Sequence, residues 1–128
     1  MTMRAETTFL NVDLLLENQG GMSKLLAALG DSVTVLTHED GFASLELAEQ
    51  PASPQEAVER LLSLIDALPP EALDEWAHCT TRTLDVGIQS GASPHESTFR
   101  LSALVLGYAA RMGADVVFTV YACPAPSP

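Results

Sequence analysis

Apolar and polar residues alternate along the first part of the chain. From Thr7 to Glu17, Leu10, Val12, Leu14 and Leu16 fall on one face, opposite the polar side chains. A period of two predicts a strand with one buried face, which is typical of antiparallel or mixed sheets. Similar patterns predict five further strands, over residues 33–38, 42–49, 83–89, 97–101 and 116–122. Asp40-Gly41 between the second and third strands predicts a tight hairpin turn.

Helical spacing of apolar residues separates these strands. The clearest helix start is Ser53-Pro54-Gln55-Glu56, because serine can accept from free backbone amides, proline suits the first turn and glutamate completes a capping box. An apolar stripe continues from Val58 to Leu68, and Pro69-Pro70 ends it. Further helical segments are predicted over residues 22–29, 71–78 and 104–112, with Trp76 as a core anchor.

The resulting order is βαββαββαβ, in which the segments 53–68 and 71–78 together count as the second helical element. Strands with one apolar face and helices with one apolar stripe can bury these surfaces against each other when all helices lie on one face of a sheet. We therefore expect an α+β fold, a two-layer sandwich with a mainly antiparallel sheet and ferredoxin-like elements. Residues 1–123 are expected to form one domain, and the proline-rich tail 124–128 is expected to be disordered.

Acidic side chains far outnumber basic ones. The formal net charge is −11, and most of it lies between Glu39 and Glu75, where Arg60 is the single base. This charge disfavours nucleic-acid and membrane partners and favours a basic protein partner. The alternative is a solvated face that serves solubility alone. The predicted contact residues are Glu39, Asp40, Glu46, Glu49, Glu56 and Glu59.

Motifs for catalysis or cofactor binding are missing from the sequence. Cys79 and Cys123 form no metal-type spacing, so free thiols are expected, with one disulfide as the alternative. Neither a metal nor a cofactor is expected; a metal site at His78, Cys79 and Cys123, with or without His95, is the weaker hypothesis. If the polar face of the sheet formed a cleft, its lining would be Asp13, Asp85 and Gln89.

The sequence also bears on location. Asn11 and Asp13 interrupt any signal-peptide core, and the longest nearly apolar run, 101–110, is about half of a membrane span. We therefore expect a cytoplasmic protein.

The C-terminal part combines a strand ending in Gly-Ile-Gln-Ser-Gly, a second strand, a helix and a last strand that ends in tyrosine shortly before proline. The residues concerned are Thr83 to Gly91, His95, Phe99, Leu101, Gly113 to Asp115, Tyr121 and Pro124. This pattern resembles a family of small bacterial single-domain proteins of unknown function, and Leu29-Gly30 resembles the end of the family's first helix. The resemblance implies an α+β domain and offers no catalytic residues to transfer. By analogy, comparable small acidic families include immunity proteins that act beside secreted toxins.

These observations favour a non-enzymatic acidic protein-binding module, specifically an immunity protein that neutralises a basic bacterial toxin. One alternative is a small-molecule sensor or enzyme that uses the polar sheet face. A second is a structural homo-oligomer formed through the last strand and its helix.

Overall fold

Five strands form one mixed sheet in the computed structural model, which describes residues 6–93 and 95–123. The strands are β1 (Thr8–Glu17), β2 (Val33–Glu39), β3 (Phe42–Leu47), β4 (Thr81–Gln89) and β5 (Asp115–Tyr121). Their order is β2-β3-β1-β4-β5. Neighbours are antiparallel except β4 and β5, which are parallel. β1 and β2 therefore run in the same direction with β3 between them, as in a split βαβ unit.

Four helices form the second layer. They are α1 (Ser23–Leu29), α2 (Pro54–Asp66), α3 (Pro70–Ala77) and α4 (Ala103–Arg111), with a 3-10 turn at Gly30–Ser32. The arrangement is the expected two-layer α+β sandwich. Within residues 6–93 and 95–123, no helix is long and apolar enough to cross a bilayer.

The core lies between the helices and one face of the sheet. Leu14 of β1 is opposite Leu45 of β3 on one side and Leu84 of β4 on the other, and all three leucines are fully buried. The apolar stripe of α2 covers this face with Val58, Leu61, Leu62 and Ile65. Burying a side chain of this size stabilises the fold by about 1.5–3 kcal/mol. The alternation read from β1 thus identifies the buried face correctly for Val12, Leu14 and Leu16. It is wrong for Leu10, which is 44% exposed where the pairing with β4 shifts between Phe9 and Asn11.

Local signals set the start of α2, and two polar contacts join it to α4. The Ser53 hydroxyl accepts a hydrogen bond from the Glu56 amide at 3.2 Å, as the capping box predicts. The Gln55 side chain accepts from the Ser102 amide at 2.8 Å, next to the start of α4. Near the other ends of the helices, the Tyr108 hydroxyl donates to the Asp66 carboxylate at 2.9 Å. α2 and α4 therefore run side by side in the same direction.

Trp76 and Arg82 join the end of α3 to the turn that leads into β5. Trp76 is 5% exposed, and its indole N–H donates to the Met112 carbonyl at 2.9 Å. The Arg82 guanidinium donates to the carbonyls of Gly113 and Cys79, both at 2.9 Å. Carbonyls at the end of a helix have no partner within it, so Trp76 and Arg82 satisfy groups that helix geometry leaves free.

The strand predicted over residues 97–101 is wrong. This segment has no regular structure; Phe99 and Leu101 are half-buried and pack against the core. The reason is topological. β4 already pairs with β1 and β5, and a parallel β4–β5 pair needs a crossover that leaves the sheet. The predicted disorder of the tail 124–128 lies outside the described residues.

We expect Gly113→Ala to lower the free energy of unfolding by about 1–2 kcal/mol. Gly113 has φ of +74°, and an added Cβ would lie 2.9 Å from Nη2 of Arg82. The control is Gly107→Ala inside α4, where the added Cβ meets an ordinary 3.9 Å contact. That change should raise stability by about 0.5–1 kcal/mol. Urea unfolding measures both values. Equal effects at the two glycines would contradict the explanation that the positive φ of Gly113 and its contact with Arg82 require glycine there.

Candidate functional site

The outer side of α2 forms one wall of an open groove. The other walls are the 3-10 turn at Gly30–Ser32 and the residues at the end of β3, and the groove has a volume of about 670 Å³. We call it the acidic groove, because its lining includes Asp31, Glu49, Glu56 and Glu59 and one base, Arg60. The α2 residues face outward because the opposite stripe of the helix is packed in the core.

The acidic groove keeps most of its negative charge. Arg60 forms an ion pair with Glu56 at 2.7 Å, and the two side chains are about half exposed. Within the described part of the chain, this is the only ion pair that a Lys or Arg side chain makes. Asp31, Glu49 and Glu59 are exposed, so solvent screens their mutual repulsion. The groove therefore carries a formal charge of −3 at little expense in stability.

The six predicted contact residues do not form a single surface. Glu49, Glu56 and Glu59 line the acidic groove. Glu39 and Asp40 lie at the tip of the β2–β3 hairpin, roughly 20 Å away along the six residues of β3. The turn itself is as predicted, with positive φ at Asp40 and Gly41.

Glu46, the remaining predicted residue, lies on the sheet face that the helices do not cover. Its Cα is paired with that of Asp13, which is in turn paired with Asp85. Conversely, the sequence did not predict Asp31 as a contact residue. The residues next to Asp31 in the sequence do not show that α2 packs beside it.

We call the uncovered surface the open face; its centre is a cluster of polar side chains. The Asn11 amide donates to Asp13 at 2.9 Å and to Glu46 at 2.8 Å. The Thr119 hydroxyl of β5 donates to Asp85 at 2.7 Å. Three carboxylates from β1, β3 and β4 therefore lie side by side, held by one amide and one hydroxyl.

Asp13 is the middle member of this row of carboxylates. Partial burial raises the pKa of its carboxyl above the ordinary value of 3.8, and the neighbouring charges of Glu46 and Asp85 raise it further. Both effects disfavour the charged form of the side chain. The open face therefore contains a carboxyl group that holds its proton more tightly than a free aspartate.

Gln89 does not join the other two predicted lining residues. It lies four positions beyond Asp85 on β4, roughly 13 Å along the strand. Its amide donates to the carbonyls of Ser90 and Ala122, both at 3.1 Å. Gln89 thus joins the ends of β4 and β5, whereas Asp13 and Asp85 share the centre of the open face.

A second open groove, of about 740 Å³, lies between the start of α1 and α3. Lys24, the single lysine of the chain, and Glu75 are among its lining residues. The Glu75 carboxylate accepts a hydrogen bond from the Leu25 amide at 2.7 Å. The carboxylate of Glu75 is therefore already the hydrogen-bond partner of a backbone amide at the start of α1.

The cysteines and histidines are dispersed in the described residues. Cys79 is buried, Cys123 is exposed, and the two are not bonded to each other. Burial raises the pKa of the Cys79 thiol, which favours the inert protonated form. Among residues 6–93 and 95–123, no three His, Cys, Asp or Glu side chains come close enough to hold a metal ion.

Comparisons of the chain with models of protein families, with curated proteins and with solved structures give no match.

Asp13→Asn should raise the free energy of unfolding at pH 7 by up to about 1 kcal/mol, the scale for partly exposed charge pairs. The substitution removes the charge that Glu46 and Asp85 oppose. The resulting pH dependence of stability is opposite to that of a carboxylate whose pKa is lowered by folding. Because the folded-state pKa is raised, Asp13 destabilises the fold while it is ionised, and this effect is lost as the pH falls below the raised pKa towards 3.8.

Urea unfolding at pH 7 and at pH 3 measures this effect. The advantage of the Asp13→Asn variant should shrink at the lower pH. The control is Asp74→Asn on α3, whose side chain is 73% exposed. An advantage for Asp13→Asn that is unchanged at pH 3 would contradict the electrostatic explanation.

Proposed function

We propose that this protein is a non-enzymatic binding module whose acidic groove contacts a basic surface of another protein. The observation that carries the proposal is the clustering of four carboxylates around one open groove with a single arginine. Neutralisation of a basic toxin, the role of an immunity protein, is the specific version that we propose, by analogy with small acidic families of that kind.

Exposed charge of one sign suits this function. Charges that stay in solvent create a field that extends beyond the surface, which accelerates the approach of an oppositely charged partner. The same charges discriminate against acidic partners and favour one orientation of a basic one. Asp31, Glu49 and Glu59 have this exposure, and neither of their neighbours Glu56 and Arg60 is buried.

The shape of the acidic groove supports binding rather than catalysis. A catalytic site needs a place where water is excluded and the reacting groups are held in fixed positions. The acidic groove is open to solvent along α2, and its carboxylates come from the 3-10 turn, the loop after β3 and α2. Such a surface can receive protruding lysine and arginine side chains without any chemical step.

The double variant Glu49→Lys/Glu59→Lys should lower the association rate with a basic partner by about ten-fold or more. The partner to test is the product of a neighbouring gene, measured by surface plasmon resonance at low and high salt. Wild-type association should slow as salt rises, whereas the variant should respond less.

The matched control is Glu71→Lys/Asp74→Lys on α3, which changes the net charge equally but away from the acidic groove. Thermal unfolding shows whether each variant is folded. If both pairs of substitutions slow association to the same extent, total charge rather than the groove governs binding. If neither does, the electrostatic mechanism is wrong.

A second candidate function is the binding of a small cationic or hydrogen-bonding molecule on the open face. It is favoured by the row of Asp13, Glu46 and Asp85 and by the raised pKa of Asp13. Amide NMR shifts during titration with small amines test it. Shifts confined to β1, β3 and β4 would support this function, and shifts at α2 alone would instead favour the acidic groove.

A further inference from the structure

The two edges of the sheet are protected to different degrees. At the β2 edge, the pairing with β3 shifts between Val35 and Thr37, and the strand ends in His38 and Glu39. At the β5 edge, the pairing with β4 is regular over seven residues, and Asp115 is the only charged residue. Proteins commonly block free strand edges with charges, prolines or bulges. β5 has none of these beyond its first residue.

Both faces of β5 expose apolar side chains. On the helix side, Phe118 is 51% and Val120 is 61% exposed. On the open face, Val117 and Tyr121 are also about half exposed. A strand with an unpaired edge and apolar side chains on both faces can form backbone hydrogen bonds with another strand and bury apolar surface against it at the same time.

α4 extends this apolar surface. Leu106 is 43% exposed and lies roughly 200° around the helix from Tyr108, whose hydroxyl contacts α2. Leu106 therefore faces away from α2, and α4 also packs against β5. We call Leu106, Val117, Phe118, Val120 and Tyr121 the β5 patch.

The charge distribution indicates what covers the β5 patch. Two copies of a chain with net charge −11 repel each other wherever acidic surfaces meet. From Trp76 to Pro128, however, three acids are balanced by three arginines, and β5 and α4 belong to this neutral stretch. The β5 edge is therefore a surface on which a second copy can dock without strong repulsion.

The sequence of β5 also allows two copies of the strand to pair with each other. If two copies of Asp115–Tyr121 pair in antiparallel fashion around Phe118, Val116 of one copy is opposite Val120 of the other, and the two Phe118 residues are opposite each other. On the other face, Val117 is opposite Thr119. Aromatic and β-branched residues paired in this way stabilise a sheet. The full length of the strand can be used without placing two Asp115 carboxylates together.

We propose that the protein forms a symmetric homodimer in which β5 of one copy pairs antiparallel with β5 of the other, giving a continuous ten-stranded sheet. With Phe118 and Tyr121 each offering roughly 100 Å², one copy exposes roughly 400 Å² of apolar side chain in the β5 patch. Together with the strand backbones, two copies bury roughly 1,000 Å², near the lower end for stable interfaces. We therefore expect a micromolar Kd.

Light scattering and sedimentation of the full chain test the dimer. At about 100 µM protein, the mass should be twice the 13.6 kDa of one chain, with dissociation on dilution. Phe118→Lys and Val120→Lys, made separately, should each weaken the dimer at least about ten-fold by placing charge at the edge. Leu36→Lys is the control at the β2 edge, where Leu36 is 49% exposed, and it should leave the dimer intact.

Cys123 supplies a second test that requires no change in β5. It is exposed while Cys79 is buried, so a thiol-reactive spin label attaches to Cys123. In the proposed pairing Cys123 is opposite position 113 of the other copy, so the two Cys123 residues lie roughly 33 Å apart along the strands. A distance of this size in the wild-type dimer supports the antiparallel pairing, and a disulfide-linked Cys123 pair contradicts it.

The dependence on salt concentration distinguishes the homodimer from the binding of a basic protein at the acidic groove. Salt screens the repulsion between two acidic copies, so dimerisation should strengthen as salt rises, whereas binding of a basic partner should weaken. A monomer at about 100 µM and high salt would overturn the homodimer and leave the β5 edge to a different protein. A dimer disrupted by Leu36→Lys and unaffected by Phe118→Lys would also overturn it.

Discussion

The central strand β1 has to pair its backbone on both sides while burying one face only. It pairs with β4 along nearly its whole length and with β3 over its second half, and Val12, Leu14 and Leu16 are at most 1% exposed. Its odd-numbered positions include Asn11 and Asp13, so the second face stays partly in solvent. This constraint restricts the helices to one layer, and the helices in turn determine where acidic side chains reach solvent.

The acidic residues consequently occupy environments with different energetics. On the open face, Asp13 lies between Glu46 and Asp85, and the repulsion is tolerated because Asn11 and Thr119 donate hydrogen bonds to the cluster. In the acidic groove, the carboxylates are exposed and interact mainly through solvent. Exposed charges attract a partner at long range, whereas clustered, partly buried charges change proton affinity. The two surfaces therefore match the two functions proposed for them, protein binding at the acidic groove and the binding of a small molecule on the open face.

The success of each prediction from sequence depended on how local its physical cause is. The start of α2 and the Asp40-Gly41 turn were predicted correctly, since a cap and a tight turn involve four neighbouring residues. The strand over 97–101 was wrong because alternation is local, whereas this segment lies in the crossover that leaves the sheet between the parallel strands β4 and β5. The alternation along β3 could have separated Glu46 from the other candidates, since the buried Leu45 and Leu47 on either side of it occupy the opposite face of the strand.

The sequence by itself determined the helices, most strands, the apolar stripe of α2, the buried faces of β4 and of β1 beyond Leu10, and the acidic stretch between Glu39 and Glu75, because these follow from propensity, periodicity and composition. Only the tertiary structure decided which distant residues meet. It placed Asp31 beside Glu49 and Glu59, aligned Asp13 with Glu46 and Asp85, and left β5 rather than β4 at the edge of the sheet. These outcomes depend on strand order and register, which are selected by the packing of the whole core and cannot be read from any single segment.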